Sequence, residues 1–148
     1  MDKTTAGILA NDARIRRQLP WSEVAAALEA PLLWTIAAVL GQHPMTPEQA
    51  GTVGALLDLD PEVTEQLSRQ PTRGTGEFAL PTDPTLYRLY EALMVYGPAI
   101  KEVIHEDFGD GIMSAINFSI DVDRVEHPNG DRVKVTMEGK FLKYQWEG

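Results

Sequence analysis

Residues 84–123 read PTLYRLYEALMVYGPAIKEVIHEDFGDGIMSAINFSIDVD, and within this stretch the apolar period changes from that of a helix to that of a strand. Leu86, Leu89, Tyr90, Leu93 and Met94 recur at three- and four-residue intervals, the spacing of one helix face, behind an Asp83 that can cap and a Pro84 suited to the first turn. The pair Gly97-Pro98 predicts a break near Tyr96, with a second helix carried by Ile100, Val103, Ile104 and Phe108 and closed by Gly109-Asp110-Gly111. From Ile116 the period is two: Ile116, Phe118, Ile120 and Val122 alternate with Asn117, Ser119, Asp121 and Asp123. Val133, Val135 and Met137 repeat the alternation beyond a turn containing Asn129-Gly130, a hairpin signal, and FLKYQWE follows Gly139 as a last extended stretch.

Upstream, residues 68–83 (SRQPTRGTGEFALPTD) hold Pro71, Gly74, Gly76 and Pro81 and read as a connector. The front segment is helical. Helices are predicted over Ile8 to Leu19, around Trp21, Val24, Ala25 and Leu28, over Pro31 to Leu40, and from Thr46 to Leu57. In the last of these Thr46, Pro47 and Gln49 form a capping-box pattern with proline at the first helical position. The whole is an α+β chain: a helical bundle over residues 1–75, then helices plus a small antiparallel sheet over residues 76–148. A layer as thin as the second segment leaves sheet edges to be paired or covered, so an obligate oligomer is expected.

Composition excludes several classes. The 148 residues contain no cysteine, so disulfides, thiolate metal sites and cysteine nucleophiles are ruled out. His43, His105 and His127 form no paired-ligand spacing, no metal is expected, and His105 falls among helix positions where a structural or solvent-facing histidine is the default. No stretch approaches the roughly 20 apolar residues of a membrane span, and the first residues lack a secretory core, so a cytoplasmic location is expected. Short tandem helices raise the question of DNA binding. Gln18 to Ser68 contains no lysine or arginine against seven acidic residues, and PLLWTIAAVL, in the place of a recognition helix, is apolar. With a formal charge of −9, a nucleic-acid backbone is not the expected partner.

Arg88 and Glu91 lie three apart on one helix face. They read either as a surface ion pair of small worth or as a pair covered by a partner subunit, where Arg88 offers directional donors to a small planar anion. Ser114, between the Gly-Asp-Gly turn and the first strand, is either a local hydrogen-bonder or part of an anion-binding concavity of backbone N–H groups. Gly109 and Gly111 do not make a phosphate loop. These residues point to a small-anion pocket at an interface and leave its substrate open.

The run PTDPTLYRLYEALMVYG with IHEDFGDGIMSAINFSIDV closely resembles the core of the cyanase family, and a looser likeness extends through LPWSEVAAALEAPLLWTIAAVLG and ALLDLD. The resemblance implies a lyase that decomposes cyanate with bicarbonate to carbon dioxide and carbamate, which yields ammonia, in detoxification or nitrogen metabolism. It implies a front bundle similar to helix-turn-helix domains without their role, an intertwined C-terminal dimer, and a homodecamer of five dimers with active sites between subunits. It places the catalytic residues at Arg88, Glu91 and Ser114 and lines the pocket with Ile112, Ala115 and Leu142. It implies no cofactor, bicarbonate being a co-substrate. A silent anion-binding relative and a transcription regulator are the alternatives, distinguished by turnover and by sequence-specific DNA binding.

Overall fold

The computed structural model describes residues 1–71 and 80–145, and half of the predicted connector, residues 72–79, together with Trp146, lies outside them. The chain divides into two compact units, Met1–Gly76 and Glu77–Gly148.

The first unit is five short helices: α1 (Lys3–Arg16), α2 (Trp21–Ala27), α3 (Leu32–Val39), α4 (Pro47–Leu57) and α5 (Pro61–Ser68). Local signals set most of the boundaries. Asp2 caps α1 by accepting from the Thr5 N–H at 2.7 Å, which starts that helix five residues before the predicted Ile8. It ends at Arg16, ahead of a left-handed Gln18, and not at Leu19. At α4 the predicted capping box is present: Thr46 Oγ1 accepts from the Gln49 N–H and Gln49 Oε1 from the Thr46 N–H. Ala10, Val24, Ala38, Val39, Val53, Leu57 and Leu67 make the buried core. Gly54 allows α4 and α5 to approach, because a Cβ there would stand 2.5 Å from Thr64 Oγ1. Lys3, itself buried, donates from Nζ to the Gln66 and Leu67 carbonyls at the end of α5 and so ties the first helix to the last.

Helices α2 and α3 meet at 96°, the angle of a helix-turn-helix pair. In α3, however, Thr35, Ala38 and Val39 point into the core. Thr35 Oγ1 is buried without a hydrogen-bond partner among the described residues. Thr35→Val keeps the shape of the side chain and removes that orphaned hydroxyl, so it is expected to raise the unfolding free energy of the bundle by about 1 kcal/mol. Urea denaturation of the two proteins checks this, and a lower midpoint for the valine variant would contradict it.

The second unit consists of α6 (Pro84–Phe108) and the strands β1 (Gly111–Val125) and β2 (Arg132–Lys143), which pair antiparallel. Three expectations need correction. The predicted break at Gly97-Pro98 is absent, and a single helix of 25 residues runs through Pro98. Proline costs its own N–H bond to Met94, yet this stretch is exposed, so the freed carbonyl can be solvated. The first strand begins at Gly111, five residues before Ile116, which puts Ser114 inside a strand and not in a loop. Finally, the stretch after Gly139 is the continuation of β2 as far as Lys143, not a separate extended piece.

Paired residues on the ladder separate the ribbon into faces. Ile120↔Met137 and Val122↔Val135 share an apolar face with Phe118, while Asp121↔Thr136 and Asp123↔Lys134 share a polar one. The ladder closes at Val125↔Arg132, and the loop between carries Asn129-Gly130, with Gly130 at φ +107.

The two units differ in what they bury. All the buried apolar side chains among the described residues belong to the first unit, whereas α6 buries none. Leu86, Leu89, Leu93, Ile100, Val103 and Phe108 stand exposed along α6, and the apolar face of the ribbon is open as well.

Candidate active site

Residues 84–96 are all exposed except Tyr87, which is half-buried. Beside it, on the next turn's face, stand Arg88 and Glu91. Arg88 Nε lies 3.8 Å from Glu91 Oε2, with the two side chains 68% and 50% exposed. That separation attracts the charges but is too long for a hydrogen bond, so Glu91 steers the guanidinium without taking one of its N–H donors. The guanidinium carbon also lies 5.4 Å from the centroid of the Tyr87 ring.

Ser114 sits where the ladder is interrupted. Pairing runs from Gly111↔Lys143 to Met113↔Phe141 and resumes at Phe118↔Gly139, so four residues of β1 (114–117) oppose Lys140 alone on β2. This is a β-bulge, and Ser114 holds it together. Its Oγ accepts from the Ile116 N–H at 3.1 Å and from the Asn117 N–H at 2.9 Å, and the residue is only 5% exposed. A hydroxyl has two lone pairs and one proton. With both lone pairs engaged, the Ser114 O–H remains to donate, which suits it to an anion and not to the role of an attacking group.

The expected concavity of free N–H groups is therefore corrected in part: the N–H groups of Ile116 and Asn117 already belong to Ser114. Ile112 and Leu142 are Cα partners on the ladder, both more than two-fifths exposed, and Ala115 is exposed within the bulge. The bulge also throws Ile116 outward, 97% exposed, instead of leaving it in the apolar alternation with Phe118.

Within one chain these residues fall into two groups. Arg88 precedes Phe108 by 20 residues, about 30 Å along a helix at 1.5 Å per residue, and β1 departs from the far end. Near that end the Phe108 and Phe141 rings touch, centroids 5.2 Å apart. Since α6 buries nothing, the ribbon does not lie along it. The structure thus joins Arg88 to Glu91, and Ile112 to Leu142 beside Ser114, but it does not bring the first group to the second.

Two features escaped the sequence reading. Gly139 faces the bulge, where an added Cβ would run into the Ser114 carbonyl oxygen and would lie 2.6 Å from Met113 Cγ. An isolated glycine inside a strand pattern is a bulge signal, and it was available. The other is Tyr87, since nothing in the spacing distinguishes its ring as the surface beneath Arg88. Among the described residues no group of three or more His, Cys, Asp or Glu side chains could hold a metal ion, and no single helix is long and apolar enough to cross a membrane.

Both parts of the chain match family models: residues 4–71 match the N-terminal domain of cyanate hydratase, and residues 78–146 match the cyanate lyase C-terminal domain. The chain belongs to the cyanate hydratase family. Within that family it is 57% identical to the cyanate hydratase of Mycolicibacterium vanbaalenii over 98% of this chain and 94% of the relative. It is 49% identical to that of Thiobacillus denitrificans, over 97% of each chain. Among solved structures, the crystal structure of cyanase from T. urticae superposes with a TM-score of 0.80 at 31% identity, covering 95% of this chain and 98% of that one. These likenesses run through both units, so the α+β architecture of this cyanate hydratase family member is that of an enzyme family and not of a DNA-binding module grafted onto something else.

Proposed function

We propose that the chain is a lyase that decomposes cyanate with bicarbonate as second substrate, at sites completed by more than one copy of the chain. Family membership supports the reaction. The observation that carries the shared site is the separation of Arg88 and Glu91 from Ser114 along a helix that buries nothing. A unit with no core of its own and with a long apolar face on both helix and ribbon is stable when other copies cover those faces. Docking of that kind can bring Arg88 of one copy to Ser114 of another, and a decamer of five dimers is the assembly we assign. On this reading residues 76–148 carry catalysis and assembly, and the bundle over residues 1–75 packs without contacting nucleic acid.

The chemistry asks for two anions to be held side by side, which their repulsion opposes in water. Arg88 supplies the fixed positive charge, and the Ser114 O–H supplies a donor from a rigid bulge. A bicarbonate oxygen adds to the cyanate carbon and the cyanate nitrogen gains a proton. The bond from the bicarbonate carbon to the bridging oxygen then breaks and releases carbon dioxide, while the O–H proton of the former bicarbonate passes to nitrogen, leaving the bridging oxygen on carbamate. With one further proton at nitrogen the carbamate separates into ammonia and a second carbon dioxide. Pairing the reactants and placing donors where negative charge grows supply most of the acceleration. Glu91 orients Arg88, and Ile112, Ala115 and Leu142 line the pocket beside the bulge. The scheme needs neither a metal nor an organic cofactor.

Ammonia release from cyanate by the purified protein, with bicarbonate supplied or rigorously removed, tests this. Release that depends on bicarbonate is expected. No release from an intact oligomer would leave an anion-binding relative without turnover.

A further inference from the structure

Resting on the reading of Arg88 as the anion-holding charge, we infer that Tyr87 is a positioning residue: its ring face is the platform that orients the Arg88 guanidinium for the two anions. The first half of α6 is exposed throughout except at Tyr87, which is half-buried, and the Arg88 guanidinium carbon stands 5.4 Å from the centroid of that ring. A cation within about 6 Å of an aromatic face is attracted to it, and the attraction grows when water is excluded.

The two neighbours of Arg88 share one property. Arginine carries five N–H donors on a long, rotamer-rich stem. A carboxylate in full hydrogen-bonding contact would engage some of those donors and compete with a bound anion. Glu91 stands 3.8 Å from Nε, beyond hydrogen-bonding distance. The Arg88 guanidinium carbon lies over the face of the Tyr87 ring, which attracts the charge without the carboxylate oxygens that would compete with a bound anion. Arg88 is therefore restrained from two sides while its donors stay available, which is what a residue that must grip two small anions requires. Tyr87 does not itself touch the reacting atoms in this arrangement. Its effect passes through Arg88.

The test compares Tyr87→Leu with Tyr87→Phe, in steady-state turnover of cyanate and in calorimetric titration with bicarbonate alone, each on protein whose oligomer mass and melting midpoint match the parent. Loss of the ring face is expected to raise KM for both anions and the bicarbonate Kd by about tenfold, with kcat little changed. Tyr87→Phe keeps the face and is expected to restore both constants. In an Arg88→Leu background, Tyr87→Leu is expected to add no further loss of bicarbonate binding. A residue that merely packs would shift the melting midpoint or the assembly mass and would not show this split.

Unchanged constants in Tyr87→Leu overturn the inference while leaving the reaction intact, and so does a phenylalanine variant as impaired as the leucine one, which would assign the effect to the hydroxyl. If the parent binds bicarbonate in a Tyr87-dependent way but releases no ammonia from cyanate, the positioning role stands and the reaction fails. A parent that neither binds bicarbonate nor turns over cyanate overturns both.

Discussion

Replacing Arg88 by leucine is expected to lower kcat/KM for cyanate by about 1,000-fold, the upper range for losing one principal donor to developing negative charge, while the mass of the assembled protein stays that of the parent. Arg88 is two-thirds exposed within its own chain, and its one charged partner among the described residues, Glu91, is 3.8 Å away and not hydrogen-bonded to it. Exposed pairs of this kind contribute little to stability, so the loss should fall on turnover and not on folding. Size-exclusion chromatography with light scattering, run beside the ammonia assay, separates the two effects. Full activity in the leucine variant would remove Arg88 from the site. Shared sites can be checked with the same variant: dissociated Arg88→Leu protein, mixed with Ser114→Ala protein and reassembled, should regain part of the lost activity, because some sites then combine an intact Arg88 with an intact Ser114. Verified mixed oligomers without recovery would count against sites built from two chains.

The second large effect is expected at a residue with no functional group. Gly139→Val should reduce turnover by about 100-fold, comparable to removing a donor directly, and lower the melting midpoint as well. The Cβ of any side chain at 139 would collide with the carbonyl oxygen of Ser114 and press on Met113 Cγ at 2.6 Å. A carbonyl oxygen in a strand cannot swing aside like the end of a long side chain, so the bulge itself must move. The two hydrogen bonds from Ile116 and Asn117 to Ser114 Oγ depend on that bulge. Overpacking of a close site costs about 1–3 kcal/mol, and any share relieved by opening the bulge returns a lone pair to Ser114 and turns its O–H from its aim. Thermal melting and steady-state kinetics of the valine variant check both halves. Parent-like kinetics with a lowered midpoint would show that the bulge does not position Ser114 for the reaction.

How far each part was legible depends on the range of the interactions behind it. The capping box at Thr46 and Gln49 is contained in four consecutive residues, and it was read correctly because nothing distant decides it. The strand alternation beyond Phe118 was likewise legible, since one residue's side follows from its neighbour's. Pro98 misled because the cost of a proline inside a helix depends on what surrounds it: within its own chain α6 packs nothing over the freed Met94 carbonyl, and the helix continues. Arg88 and Glu91 were visible as an i, i+3 pair, but whether they hydrogen-bond or merely attract one another is a matter of rotamers. The roles given to Arg88, Glu91 and Ser114 came from likeness to a family. The residues read by themselves reached only a small-anion pocket at an interface.

By itself the sequence determined the helical front, the strand alternation from Phe118 onward, the absence of thiol chemistry, and the lack of cationic side chains for nucleic acid from Gln18 to Ser68. Each of these rests on composition or on neighbours within one or two turns. Only the tertiary structure decided the register shift that sets residues 114–117 against Lys140, the engagement of both Ser114 lone pairs, the closeness of Gly139 to that serine, and the empty core of the second unit. Those features arise from pairing between β1 and β2, from torsions within the bulge, or from what a helix finds to pack against. Such contacts are chosen by the folded backbone as a whole, so no local period in the chain encodes them.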